Sequence, residues 1–127
     1  MRPASCKAKG RRLQQEVRDQ LLKNAPSLEP DDIRSTSMGA SGEDLLLSPA
    51  ARKLYPFSVE CKNVEKLNIW GAIQQARQHN PKYAPLVAFS RNGEDTYVVI
   101  PIKEFLEICN NGSAGVSPRI QPLTGKD

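Results

Sequence analysis

The chain has one histidine and three cysteines, Cys6, Cys61 and Cys109, set far apart. One histidine excludes a His-rich zinc centre and the nuclease motifs built on several histidines. No two cysteines have zinc half-site spacing, and an odd, scattered set is not a disulfide framework. Reduced thiols in a cytoplasmic setting are the expectation. Long apolar runs are also missing: none approaches the ~20 residues that cross a bilayer. The first residues lack the apolar stretch of a secretory signal. No membrane partner is therefore expected.

What is present suits one core. The 127 residues are 39% hydrophobic and 25% charged, enough for a single domain. That domain is expected over residues 10–109, between a flexible basic arm at 1–9 and a flexible, Gly/Ser/Pro-containing tail at 110–127. The formal net charge is +4. Lys7, Lys9, Arg11 and Arg12 crowd the start, and Arg34 and Arg52 flank the centre of the chain. Phosphates attract such groups through charge and counterion release, and contacts of this kind position a backbone rather than read bases. A solvated basic surface has the same composition.

The pattern of apolar residues gives the order of elements. Leu13, Val17 and Leu21 recur every four residues and predict a helix over Gly10–Asn24, ended by Ala25-Pro26. Ile33–Ser37 reads as a strand, Met38–Gly42 as a small-residue turn and Asp44–Leu47 as a short buried strand. Ser48-Pro49 caps and starts a short helix through Leu54. Phe57–Cys61 alternates, with Phe57, Val59 and Cys61 on a core face and Ser58, Glu60 and Lys62 on a polar one. Asn68 caps a helix over Ile69–His79. Pro85–Phe89 and Thr96–Ile100 read as an antiparallel pair joined at Arg91–Glu94, and Pro101 opens a last helix through Ile108.

One spacing carries chemistry. Asp44 follows the glycine-rich turn, and Glu60 and Lys62 stand two residues apart on one strand face. Two carboxylates are hard oxygen donors of the kind Mg²⁺ takes, and a neighbouring lysine suits an anionic phosphate. Gly42-Glu43-Asp44 followed by Glu60-Cys61-Lys62 resembles the PD-(D/E)XK nuclease superfamily. Glu43 stands where the family has a proline before its motif acid, and Asp44 matches the motif aspartate. The resemblance implies an α/β, restriction-endonuclease-like core with a central mixed β-sheet flanked by helices.

It also implies a metal-dependent endodeoxyribonuclease using Mg²⁺, with Mn²⁺ as a substitute. Asp44, Glu60 and Lys62 would be catalytic, the two acids holding the metal. Glu16, in the first helix, would be a further catalytic acid and metal ligand, since related nucleases use an acid there; a solvated helix glutamate is the competing reading. Gln75, in the helix after Lys62, would face the site, or else lie on the surface. Arg77 would extend the DNA-binding set of Lys7, Lys9, Arg11, Arg12, Arg34 and Arg52. His79, beside Asn80-Pro81, reads as part of a helix end and is left out of the catalytic set. The small size and basic start resemble the Holliday-junction resolvase branch, which implies a homodimer acting on branched DNA. A homing or mobile-element endonuclease and a non-catalytic DNA-binding protein are the alternatives.

Overall fold

The computed structural model describes residues 3–36 and 42–115. Helix α1 spans Pro3–Asn24. It begins well before Gly10, so residues 3–9, expected as a flexible arm, are helical. Leu13 and Val17 are buried on its inner face, as their spacing requires. Arg18 fastens the helix to the segment that leads into the first strand. Its guanidinium donates to the carbonyls of Ile33 at 2.7 Å and Pro30 at 2.8 Å.

A 3₁₀ turn at Pro30–Asp32 leads into strand β1 (Ile33–Ser35), which pairs antiparallel with β2 (Leu45–Leu47). Ile33, Leu45 and Leu47 are buried while Arg34 and Leu46 are exposed, the period-2 pattern of a sheet with one face in the core. Most of the expected Met38–Gly42 turn lies outside the described residues. Its last residue, Gly42, has φ +107°, a conformation that favours glycine.

Helix α2 (Pro49–Leu54) starts as the sequence indicates. Ser48 Oγ accepts from Ala51 N–H at 3.1 Å, and Pro49 occupies the first turn, where no N–H is needed. Strand β3 (Phe57–Asn63) then pairs in parallel with β4 (Ala84–Ser90) through helix α3 (Ile69–His79). Strand β5 (Tyr97–Val99) adds antiparallel to β4, across a turn in which Gly93 has φ +81°. The fold is mixed α/β, with a central mixed sheet β3–β4–β5 flanked by helices. Helix α4 (Ile102–Gly115) runs past Ile108 and takes in residues 110–115 of the expected tail. Residues 116–127 lie outside the described set. No described helix is long and apolar enough to cross a membrane.

Strand β3 departs from the half-polar strand that its alternation suggests. Phe57, Val59 and Cys61 join the core with Leu13, Val17, Ile33 and Leu45. Ser58 and Glu60, on the other face, are buried as well, at 0% and 5% exposure. Helix α3 covers them. Its Ala72 and Ala76 are small enough for close approach, and Ser58 Oγ donates to the Ala76 carbonyl at 2.6 Å. A parallel strand is covered on both faces because its crossover helix packs back on the sheet.

An ion pair joins these layers. Arg52 on α2 donates to both carboxylate oxygens of Glu43, at 2.9 and 2.8 Å, and to the Phe57 carbonyl at 2.7 Å. Its guanidinium also lies 4.5 Å from the Tyr83 ring centre. Asn80, at the end of α3, donates to Glu43 at 3.2 Å. Both charged side chains are withdrawn from water, at 13% and 7% exposure. Removing one partner strands the other charge in the interior. Arg52→Ala is therefore expected to cost about 3–5 kcal/mol in urea unfolding, and Arg77→Ala, at an exposed position on α3, within about 0.5 kcal/mol. Equal, small losses for the two would contradict this role for Arg52.

Candidate functional site

The site is built on β3 and on the residue that enters β2. Asp44 is clamped to β3 from both ends. Its backbone N–H donates to the Val59 carbonyl at 3.2 Å, and its Oδ2 accepts from the Cys61 N–H at 2.7 Å. Those contacts straddle Glu60 and bring the two acids together across 16 residues of sequence. Gly42 makes the turn, so that Glu43 faces Arg52 while Asp44 faces β3. Glu43 is a buried structural partner of Arg52.

Glu60 sits between two basic groups. Lys62 Nζ is 3.4 Å from its Oε2, and His79 Nδ1 is 3.2 Å from its Oε1. Oε1 is buried without a hydrogen-bond partner among the described residues. His79, set aside on sequence grounds, thus belongs to the cluster. A signal for it exists in the sequence. Ala72, Ala76 and His79 follow the i, i+4, i+7 spacing of one helix face, the face that covers Glu60.

The electrostatics follow from burial. Desolvation raises the pKa of Asp44, opposed by the Cys61 N–H, Lys62 and His79. Desolvation also raises that of Glu60; the Asp44 charge adds to the rise, and Lys62 and His79 oppose it. Both carboxyls hold protons more tightly than ordinary side chains, and each would gain from a cation between them. Burial, with help from Asp44 and Glu60, pushes the Cys61 thiol far up, which makes it a poor nucleophile at neutral pH.

The donor set suits a hard divalent ion. Asp44 keeps Oδ1 clear of the Cys61 bond, and Glu60 supplies a second carboxylate. Mg²⁺ typically takes one or two carboxylates and fills its remaining positions with water and phosphate oxygen. Among the described residues there is no group of three or more His, Cys, Asp and Glu side chains arranged to hold a metal. An ion held by these two acids would have to fill its remaining positions with water, since the described residues form no all-protein cage.

The remaining sequence candidates are dispersed. Glu16 is exposed on α1, and its Oε2 accepts from Thr96 at 2.7 Å and Gln20 at 3.0 Å, neither of them part of the cluster. Among the described side chains of that helix the buried polar one is Gln14, which sequence reasoning did not single out. Gln75 is exposed on α3, on the same helical stripe as Ala72 and His79. Lys7, Arg11 and Arg12 are exposed on α1 and Lys9 is half-buried. Lys7 and Arg11 lie in line with Gln15, which bonds Ser35 of β1 at 2.9 Å. Arg34 and Arg77 are exposed. Arg52 is not a free surface cation, because its guanidinium is committed to Glu43 and the Phe57 carbonyl.

The raised carboxyl pKa values have a consequence for stability. The folded chain binds protons at Asp44 and Glu60 more tightly than the unfolded chain does. Stability therefore falls as pH rises from the ordinary values of 3.8 and 4.5 through the raised ones, and the ionised pair is a burden at neutral pH. Glu60→Gln is expected to unfold at higher urea than the wild type at pH about 7.5, with the gain vanishing at pH about 3.5. A variant less stable at the higher pH would mean that the Lys62 and His79 contacts outweigh desolvation. Comparison of the chain with protein-family models, with curated proteins and with solved structures finds no significant match.

Proposed function

We propose that the chain is a Mg²⁺-dependent DNA endonuclease with a restriction-endonuclease-like core, acting on phosphodiester bonds of branched DNA. The observation that carries the reading is Glu60. An ordinary surface Glu–x–Lys pair would leave its carboxylate in water, whereas Glu60 is 5% exposed, carries a raised pKa and has Asp44 beside it. A buried carboxylate with a second, half-buried acid beside it costs stability and points to a functional site rather than a structural one.

The order of elements supports the same conclusion. A helix precedes an antiparallel pair, the first acid stands at the start of the second strand, and the Glu–x–Lys strand is followed by a crossover helix and a parallel strand. Asp44 and Glu60 would hold the ion. When bound, Mg²⁺ supplies Lewis acidity towards a phosphate oxygen and lowers the pKa of a coordinated water. The Cys61 N–H keeps Asp44 oriented. Lys62, part-exposed at 29%, stands at the open side of Glu60, where its ammonium is placed to stabilise charge on the phosphate or to orient the attacking water. Hydrolysis adds that water across the P–O bond. By resemblance to the family, a 5′-phosphate and a 3′-hydroxyl result.

Lys7, Arg11, Arg12, Arg34 and Arg77 remain as exposed cations for backbone phosphates. A homodimer would match the two-fold symmetry of a four-way junction with two active sites.

The test is cleavage of a labelled four-way junction beside linear, flap and single-stranded DNA, with Mg²⁺ or with EDTA. Paired cuts at the junction that need Mg²⁺ are expected. Glu60→Gln and Lys62→Ala should each lower the rate by about 100-fold or more while the far-ultraviolet circular dichroism spectrum stays that of the wild type. Wild-type turnover in either variant would remove the site from consideration. Cutting mainly of linear duplex would shift the substrate to that of a homing-like nuclease, and binding without any cleavage would leave a DNA-binding protein.

A further inference from the structure

Glu60 has two oxygens in different surroundings. Oε2 lies by Lys62, on the side that leads to solvent. Oε1 is buried against α3, has no hydrogen bond, and has His79 Nδ1 at 3.2 Å. A carboxylate oxygen buried without a donor is costly, so a donor within reach has a strong physical reason to engage it. His79 is within reach, its Nδ1 3.2 Å from Oε1, and an Nδ1–H directed at that oxygen would supply the missing donor.

The position of the ring is itself fixed. His79 is the last residue of α3, and the next residue, Asn80, donates to Glu43, which Arg52 holds from α2. Upstream, Ser58 Oγ ties the same helix to β3 through the Ala76 carbonyl at 2.6 Å. The imidazole is therefore delivered to Glu60 by two anchors on either side of it along the chain. An imidazolium there lowers the pKa of Asp44 as well.

We propose that His79 is a positioning residue for Glu60, its Nδ1–H holding Oε1 so that Oε2 is presented to the divalent ion beside Asp44. The inference rests on the reading of Asp44 and Glu60 as the ion site. It assigns His79 no contact with the substrate or the ion. A donor behind a ligating carboxylate fixes the ligand's orientation, and loss of such a partner typically weakens ion binding by about 10–100-fold.

The experiment is binding of Mn²⁺ alone, without DNA, followed by the fall of the free-ion electron paramagnetic resonance signal. Wild type, Asp44→Asn, His79→Ala, His79→Asn and His79→Gln are compared. Asparagine places an amide N–H near the Nδ1 position; glutamine carries its amide farther out, near Nε2. His79→Ala and His79→Gln should bind Mn²⁺ about 10-fold or more weaker than wild type, and His79→Asn should recover most of the loss. Unchanged affinity in His79→Ala overturns the proposal, as does a His79→Asn chain no better than His79→Gln. Should His79→Ala not fold, the asparagine and glutamine pair still decides it. If wild type and Asp44→Asn take up Mn²⁺ equally, the ion site itself is wrong, a result distinct from failure of the histidine role alone.

Discussion

The Arg52–Glu43 pair is the contact on which the rest of the arrangement depends. It joins α2 to the residue before Asp44, to the start of β3 through the Phe57 carbonyl, and to the end of α3 through Asn80. Three separate segments are thereby fixed about one guanidinium. Glu43 and Asp44 are adjacent, so fixing one orients the other: as Glu43 turns to Arg52, Asp44 turns to the Cys61 N–H. Asn80 and His79 are also adjacent, and the same logic sets the imidazole against Glu60. Neutral packing of equal volume would hold the segments together, but the forked geometry of an arginine–carboxylate pair also dictates direction.

The second constraint is the double burial of β3. A parallel strand with helices on both faces has no solvated side, so an acid at Glu60 is desolvated whatever its neighbours are. The chain tolerates that charge by surrounding it with Lys62 and His79, yet the balance still raises its pKa. The same desolvation that burdens the fold strengthens the pull of the two carboxylates on a cation. At the proposed ion site, stability and ion affinity are thus opposed at one side chain.

Local features were legible in the sequence where one short-range force decides them. The α2 cap at Ser48-Pro49, the α3 cap at Asn68, and the antiparallel pairing of β4 with β5 each follow from a few adjacent residues. That Asp44 leads into the buried run Leu45–Leu47 was also within reach, because the register of an apolar run fixes which residue enters it. What the sequence concealed depends on contacts between distant segments. Arg52 has the composition of a phosphate contact, and only the fold brings it to Glu43. The alternation in β3 suggests a polar face, and only the packing of α3 shows that Ser58 and Glu60 are covered. His79 is a helix end, as its place before Asn80-Pro81 indicates, but only the fold shows that its spacing from Ala72 and Ala76 puts its Nδ1 3.2 Å from Glu60. At the termini, residues 3–9 and 110–115 look irregular by composition yet are helical, as extensions of helices nucleated by the stronger patterns beside them.

The central claim is that Asp44 and Glu60 share one divalent ion. Crystals soaked in Mn²⁺ and measured at the manganese absorption edge test it most directly. The account predicts a single strong anomalous peak within bonding distance of one oxygen from each carboxylate, lost in Asp44→Asn crystals. A peak elsewhere on the molecule with none between these two acids, or a peak that persists without Asp44, would contradict it.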